Sequence, residues 1–145
     1  MAKHCETFDH TADVGLAARA DTLGELMEAL AEGLSDVICH RTSISPAERR
    51  RIAVEAEDVE ALAVDFLSAA LAAIQVDRFL VATVRLHRAD EQAVCGEHVV
   101  EGVLVGESYE PPRHEIRTEI KAVTYHELKV AREGDEWVAR VILDL

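Results

Sequence analysis

Asp21-Thr22-Leu23-Gly24-Glu25-Leu26-Met27-Glu28-Ala29-Leu30, running on to His40, is the stretch whose reading decides the fold. Thr22 and Glu25 have the spacing of a capping box, in which each side chain satisfies a free backbone N–H at a helix start. Leu23, Leu26, Met27, Leu30, Leu34, Val37 and Ile38 then recur at three- and four-residue spacing, which predicts a helix from about Leu23 to about His40 with one apolar face. Glu25, Glu28, Glu32 and Asp36 are left for solvent, and Met27 reads as core filler. A helix of this kind needs a surface to cover, and the sequence on either side supplies strands.

Upstream, residues 3–9 form a short candidate strand, a loop follows at Asp9–Asp13, and Val14–Ala20 reads as a second strand. Downstream, Arg41–Pro46 is a polar break. Arg49-Arg50-Arg51 precedes a strand at Ile52–Ala56, whose Ile52, Val54 and Ala56 share a face by period two. Three arginines in an acidic chain can grip a phosphate or an acidic partner, but a solvated strand start is the reading favoured for them. Asp58 caps a second predicted helix, about Val59 to Val76, with Leu62, Phe66, Ala69, Ala70, Ala73 and Ile74 on its buried side. From Arg78 onward the pattern turns to strands: Phe79–His87, Ala93–Val105, Glu115–Thr124, Glu127–Arg132 and Trp137–Leu143. Turns are expected at Arg88–Gln92 and at Glu133-Gly134-Asp135-Glu136, and an exposed, mobile loop at Gly106–Arg113. The order predicts an α+β fold: one domain over 1–145, a mostly antiparallel β-sheet with two main helices packed on one face.

Composition narrows the function. Hydrophobic residues make up 49% of the 145, too many for a disordered chain. No apolar run approaches the roughly eighteen residues of a membrane helix, and no signal-peptide core opens the chain, so the expectation is a cytoplasmic protein with no membrane partner. Cys5, Cys39 and Cys95 are separate and lack a CxxC pattern, so they read as reduced thiols. The net charge of −13 argues against unaided binding to nucleic acid and favours cations or a basic protein surface.

Phosphate loops, dinucleotide fingerprints and nucleophile elbows are absent from the sequence. What remains is rich in oxygen. Asp9-His10-Thr11-Ala12-Asp13-Val14 sets two carboxylates, an imidazole and a hydroxyl close together, and the chain ends at Asp144-Leu145. Asp13 can meet Asp144 where the N-terminal loop lies beside the last strand, with the Leu145 carboxylate adding a third anionic group. Three such groups repel one another unless a cation or shared protons intervene, and a hard ion such as Ca²⁺ or Mg²⁺ suits them. Read from spacing alone, Asp13 is a turn or cap residue, and His10 and Thr11 are satisfied loop groups. Lys121 can hold a phosphate or contact a partner, or simply face solvent, while Tyr125 and His126 read as half-buried structural groups.

Taken together, Asp9-His10-Thr11-Ala12-Asp13-Val14, Asp21-Thr22-Leu23, Lys121-Ala122-Val123-Thr124-Tyr125-His126 and Val141-Ile142-Leu143-Asp144-Leu145 resemble the archease family, in order and separation, from end to end. The resemblance implies an accessory protein rather than a self-contained enzyme. It implies an activator of the RNA-splicing ligase that joins 3′-phosphate or 2′,3′-cyclic phosphate ends to 5′-hydroxyl ends in tRNA splicing. Such a protein promotes guanylylation and multiple turnover of the ligase, and meets GTP and tRNA only through it. It further implies a metal site at Asp13, Asp144 and Leu145, with Ca²⁺ the usual ion and Mg²⁺ or Mn²⁺ as substitutes. Lys121 matches the family's activating lysine; Asp9, His10, Thr11 and His126 are candidate supports. The competing expectations are a stand-alone metal-dependent phosphohydrolase or nuclease, and an RNA-binding chaperone.

Overall fold

The first helix forms where its sequence places it, with one change at its cap. The computed structural model describes residues 3–10 and 13–145, with only the backbone for His10. Helix α1 spans Leu23–Ile38. Thr22 Oγ1 accepts the Glu25 N–H at 3.1 Å, but the Glu25 carboxylate accepts the Thr22 hydroxyl at 3.0 Å instead of reaching a backbone donor. The free Leu23 N–H is taken by Glu91 at 3.2 Å. Leu23, Leu26, Met27, Leu30 and Leu34 are fully buried. At about 2 kcal/mol for each side chain removed from water, tertiary packing rather than helix propensity holds α1 in place. Helix α2 spans Val59–Gln75, with Asp58 Oδ1 accepting the Ala61 N–H at 2.7 Å as the sequence predicts.

The α+β class is as expected, but the strands divide into two antiparallel sheets. Strands β1 (His4–His10), β2 (Asp13–Ala20), β8 (Glu136–Asp144) and β6 (Ala122–Val123) lie in that order, with β7 (Lys129–Glu133) also pairing β8. Strands β3 (Glu48–Ala56), β5 (His98–Ser108) and β4 (Phe79–Ala89) make the second sheet. The helices lie between the sheets rather than on one face of one sheet. Helix α1 packs on β1, β2 and β4, and α2 on β3, β4, β5, β6 and β7, so one core runs through both layers.

Glu28 and Glu32, expected in solvent, turn inward to β4, an edge strand. Glu32 accepts from the Val84 N–H at 3.0 Å and the Thr83 hydroxyl at 2.7 Å, and Glu28 accepts the Leu86 N–H at 2.9 Å. Ser35 and Arg41 donate to the carbonyls of Val81 and Ala82. Lys3 lies 3.1 Å from Glu32 and 3.3 Å from Glu28. Side chains of α1 and its following turn thus complete the edge of β4, which would otherwise offer open backbone groups to another chain.

Two further predicted segments change character. Glu115–Thr124 alternates like a strand, yet only Ala122–Val123 enters a sheet. The preceding residues cross the helix ends: the Arg117 N–H donates to Ile38 O at 2.8 Å, its guanidinium to Asp36 O, and the Gln75 amide to Ile120 O. Carbonyls left open at the C-terminus of α1 compete successfully for the Arg117 donors, and the Gln75 side chain at the end of α2 supplies a donor to Ile120 O. The loop expected at Gly106–Arg113 begins later, because Gly106, Glu107 and Ser108 finish β5. A Cβ on Gly106 would fall 1.8 Å from Leu80 O, so β4 approaches too closely for any other residue. The loop is tied down by Glu107, which accepts from Arg113 at 3.0 Å, the Ser45 N–H at 2.7 Å and His114 Nε2 at 2.8 Å. His114 is 2% exposed, and its Nδ1 accepts the Glu110 N–H at 2.9 Å, which leaves the proton on Nε2 to face Glu107. At the other end of β5, Cys95 and Gly96, both at positive φ, make the tight turn between Val94 and Glu97, so β5 starts at His98 and not Ala93. No described helix is long and apolar enough to cross a membrane.

Two stability measurements follow from these polar contacts. Glu32→Ala leaves the Val84 N–H without its acceptor and is expected to lower unfolding stability by about 2 kcal/mol in urea titrations. Hydrogen bonds from Arg113, opposed by burial and aided by Ser45 and His114, lower the Glu107 carboxyl to about 2. A lowered native value stabilises the fold at pH above the unfolded value, and this contribution disappears as pH falls through the native one. The stability gap between the wild type and Glu107→Gln is therefore expected to be largest near neutral pH and to close as the pH drops from about 4.5 toward about 2.

Candidate functional site

The ladder of the five-stranded sheet ends in one row of residues. His10 lies opposite Asp13, Asp13 opposite Asp144, and Asp144 opposite Ala122. Directly opposed residues of antiparallel strands share a face with Cβ atoms about 5 Å apart. Asp13 and Asp144, both half-buried, therefore stand side by side although they are separated by nearly the whole chain. The pairing extends from Asp13–Asp144 through Ala20–Trp137 without a break.

The neighbours of this row fix its backbone. The Lys121 N–H donates to Asp144 O at 2.7 Å, and the Thr124 N–H and hydroxyl both donate to Ile142 O, at 3.0 and 2.9 Å. On the same face, Phe8 lies opposite Gly15, and Gly15 opposite Ile142. A Cβ on Gly15 would fall 2.1 Å from the Phe8 ring, so the ring covers the glycine directly. The Arg140 guanidinium also lies over that ring, 4.1 Å from its centroid. Sequence reading did not single out Phe8, Gly15 or Arg140; a glycine within a strand is the one local signal that something approaches closely there.

The expected residues separate. Leu145 follows Asp144 and is 36% exposed. Lys121 joins the row through its backbone and also lines a cleft of about 520 Å³ with Arg78, Tyr109, Leu71 and Ile74. Arg78 holds a left-handed backbone at φ 56° and was not anticipated. Asp9 pairs with Val14, on the face opposite Asp13, and lines a different cleft with Asp36 and Arg117. His126 is exposed, 3.6 Å from Glu127, and its N–H donates to Thr124 Oγ1 at 3.3 Å. Thr11 lies outside the described residues, as does the His10 side chain.

Two adjacent carboxylates repel each other and favour a cation or a proton between them. Among the described residues no three His, Cys, Asp or Glu side chains converge into a ligand set. A cation at this row would therefore need oxygen donors beyond the two aspartates, from main chain, chain terminus or water, which is the chemistry of a hard ion and not of zinc.

These features describe a two-sheet α+β protein whose second and last strands join to bring two carboxylates together. The model of the archease protein family matches residues 5–145, and the chain belongs to that family. It is 35% identical over 145 residues to protein archease of Methanosarcina acetivorans, covering 100% of this chain and 98% of that one. It is 34% identical over 143 residues to protein archease of Pyrococcus furiosus, covering 97% of each. The solution structure of Methanobacterium thermoautotrophicum protein 1598 superposes with a TM-score of 0.81 at 32% identity, over 97% of this chain and 98% of that one. The crystal structure of an archease, possible chaperone, from Thermotoga maritima shares the fold, with a TM-score of 0.57 at 22% identity over 97% and 96% of the two chains.

Gly15→Ala is expected to push Phe8 off the sheet and away from Arg140, lowering stability by about 2 kcal/mol in denaturant titrations, the usual effect of forcing extra volume into a packed site. Loss of the ring-current shifts at Arg140 in proton NMR spectra reports the displacement separately.

Proposed function

We propose that this chain is an accessory protein that activates an RNA-splicing ligase, the enzyme that joins 3′-phosphate and 5′-hydroxyl RNA ends in tRNA splicing. The observation that carries the proposal is the direct pairing of Asp13 with Asp144 in a chain of the archease family. Three things support it further. The Thermotoga maritima relative is described as a possible chaperone, a role exercised on another protein. The net charge of −13 suits a basic partner that itself binds RNA. The Asp13–Asp144 row offers oxygen donors for a hard cation.

In this proposal Asp13, Asp144 and the terminal carboxylate of Leu145 hold a divalent ion, Ca²⁺ foremost, with Mg²⁺ or Mn²⁺ able to replace it. When bound, the ion neutralises the carboxylates and presents positive charge to phosphate oxygens at the ligase. The Lys121 N–H holds the Asp144 main chain in register. The ammonium of Lys121, an exposed residue beside the cleft that Arg78 also lines, contacts the ligase or a phosphate. Phe8 over Gly15 keeps the adjoining face rigid. Asp9, His10, Thr11 and His126 shape the surrounding turns. Guanylylation of the ligase, and with it repeated turnover, is the step this chain promotes; GTP and tRNA are bound by the ligase.

A multiple-turnover ligation assay with the partner ligase, GTP and metal tests the proposal. Wild-type protein is expected to restore turnover, and Asp13→Ala to abolish that effect while retaining the wild-type circular dichroism spectrum. Full stimulation by folded Asp13→Ala would overturn the role of the site. Hydrolysis of phosphoesters or RNA by the isolated chain with metal alone would instead favour the phosphohydrolase or nuclease reading. Ca²⁺ at a hundred times its dissociation constant is expected to stabilise the wild type by about 2.7 kcal/mol and Asp13→Ala by far less, read as a shift in melting temperature.

A further inference from the structure

Strand β1 is an edge of the five-stranded sheet, and the ladder fixes which of its backbone groups are open. In an antiparallel strand the N–H and C=O of one residue point to the same side, and successive residues alternate. Ile142 O accepts from Thr124, so Ile142 faces the β6 side and away from β2. Leu143, Val141 and Ala139 therefore bond to Val14, Leu16 and Ala18. The unbroken register passes the alternation on, so that Gly15, Ala17 and Arg19 bond to Phe8, Glu6 and His4. Cys5, Thr7 and Asp9 are left with their N–H and C=O groups on the free edge. Among the described residues no hydrogen bond reaches those groups.

The other edges are treated differently. Side chains of α1 and its following turn fill the edge of β4. Strand β3 is charged at Glu48, Arg49, Arg50, Arg51 and Glu55, and dense charge blunts an edge. Its arginines divide between the faces: Arg50 turns to Asp77 at 3.0 Å and to the Phe79 ring, while Arg49 and Arg51 stand exposed on the other face. Strands β6 and β7 are short, at 2 and 5 residues. Strand β1 runs for 7 residues with no proline. Thr7 is exposed although it pairs with buried Leu16 on the core side of the sheet. Beside this edge lies a cleft of about 580 Å³, lined by Cys5, Thr7 and Asp9 and by Gly33, Asp36 and Arg117.

We propose that β1 takes up an additional strand: an extended, basic segment of the protein partner lies in this cleft, hydrogen-bonded to Cys5, Thr7 and Asp9. The proposal rests on the reading of the chain as an activator of another protein, and names how that protein is held. Donors and acceptors repeating about every 6.7 Å along an open edge are matched by another extended chain. Charge sets the composition of that chain. Glu6, Asp9 and Asp36 line the cleft, and Arg117 beside them already donates to Asp36 O. Lysine or arginine at alternate positions of the segment meets these carboxylates. A second copy of this chain fits less well, because two chains of net charge −13 would bring the same carboxylates together. Strand β1 ends at His10, opposite Asp13, so the added strand runs directly to the carboxylate row.

The test follows amide exchange of the full-length protein by NMR. The probe is an acetylated, amidated peptide in which lysine alternates with valine, matched to the 7 residues of β1. In the free protein the Cys5, Thr7 and Asp9 amides are expected to exchange fast and the Glu6 and Phe8 amides slowly. Saturating peptide is expected to slow exchange at Cys5, Thr7 and Asp9 at least about tenfold. N-methylation of two adjacent central residues of the peptide, which spoils both of its edges, is expected to weaken binding at least about tenfold. Thr7→Pro removes an open donor at a place where an edge strand tolerates proline, and is expected to weaken it equally. Glutamate in place of the peptide lysines is expected to abolish binding. Equal affinity of the N-methylated or glutamate peptide, unchanged exchange at the three amides, or their protection by dimerisation of the chain alone would overturn the proposal. In the ligation assay Thr7→Pro is expected to need at least about tenfold more protein for half-maximal stimulation and to reach the same maximum; unchanged potency would overturn the assignment to the partner. Wild-type protein that fails to stimulate counts against the ligase reading alone, since the peptide reads the edge directly.

Discussion

The pairing of β2 with β8 is the constraint on which the molecule depends. It joins the start of the chain to its end over eight consecutive positions of β2, Asp13–Ala20. Leu16, Ala18 and Ala20 meet Val141, Ala139 and Trp137 on the core face, while Asp13 and Asp144 meet on the other. A slip of one residue would turn the apolar set to solvent and part the two aspartates at once. Packing of the core and alignment of the carboxylates are therefore one requirement. Asp13 and Asp144, held on the second and last strands, come together only when the whole sheet forms.

Polar side chains carry the next level of organisation. The two sheets share no strand, and helices fill the space between them. The link between layers is completed by Glu28, Glu32, Ser35 and Arg41 on the backbone of β4, and by Arg117 and Gln75 where residues 115–121 cross the helix ends. Each contact satisfies a main-chain group that would otherwise be lost to water or left unpaired. The same economy holds the loop after β5, where Glu107 gathers Arg113, His114 and the Ser45 N–H around a single carboxylate. The contacts of Arg117 and Gln75 also help deliver Lys121 and Ala122 to the edge of β8, so the Asp13–Asp144–Ala122 row rests partly on helix-end chemistry.

Charge is distributed with similar definition. The Asp13–Asp144 row lies at the end of the five-stranded sheet, and the exposed arginines lie on the outer face of the three-stranded one. Charges at each surface act within a screening length of about 8 Å and not through the net charge.

The sequence by itself determined both helices, the Asp58 cap, the turn at Gly134 and the family, because these depend on periodicity, on neighbouring residues and on short motifs. It also marked Asp13 and Asp144, though spacing alone left Asp13 as a turn residue. The tertiary structure decided the rest. Glu28 and Glu32 look like solvent residues on a helical wheel, and only the edge of β4 explains their burial. Glu115–Ile120 alternates like a strand, and only the open carbonyls at the end of α1 draw it away from the ladder. Arg49, Arg50 and Arg51 read as one basic run, and only the pleat of β3 divides them between two faces. Asp13 and Asp144 become neighbours through the β2–β8 register, a long-range pairing set by how the core closes and by nothing local to either residue.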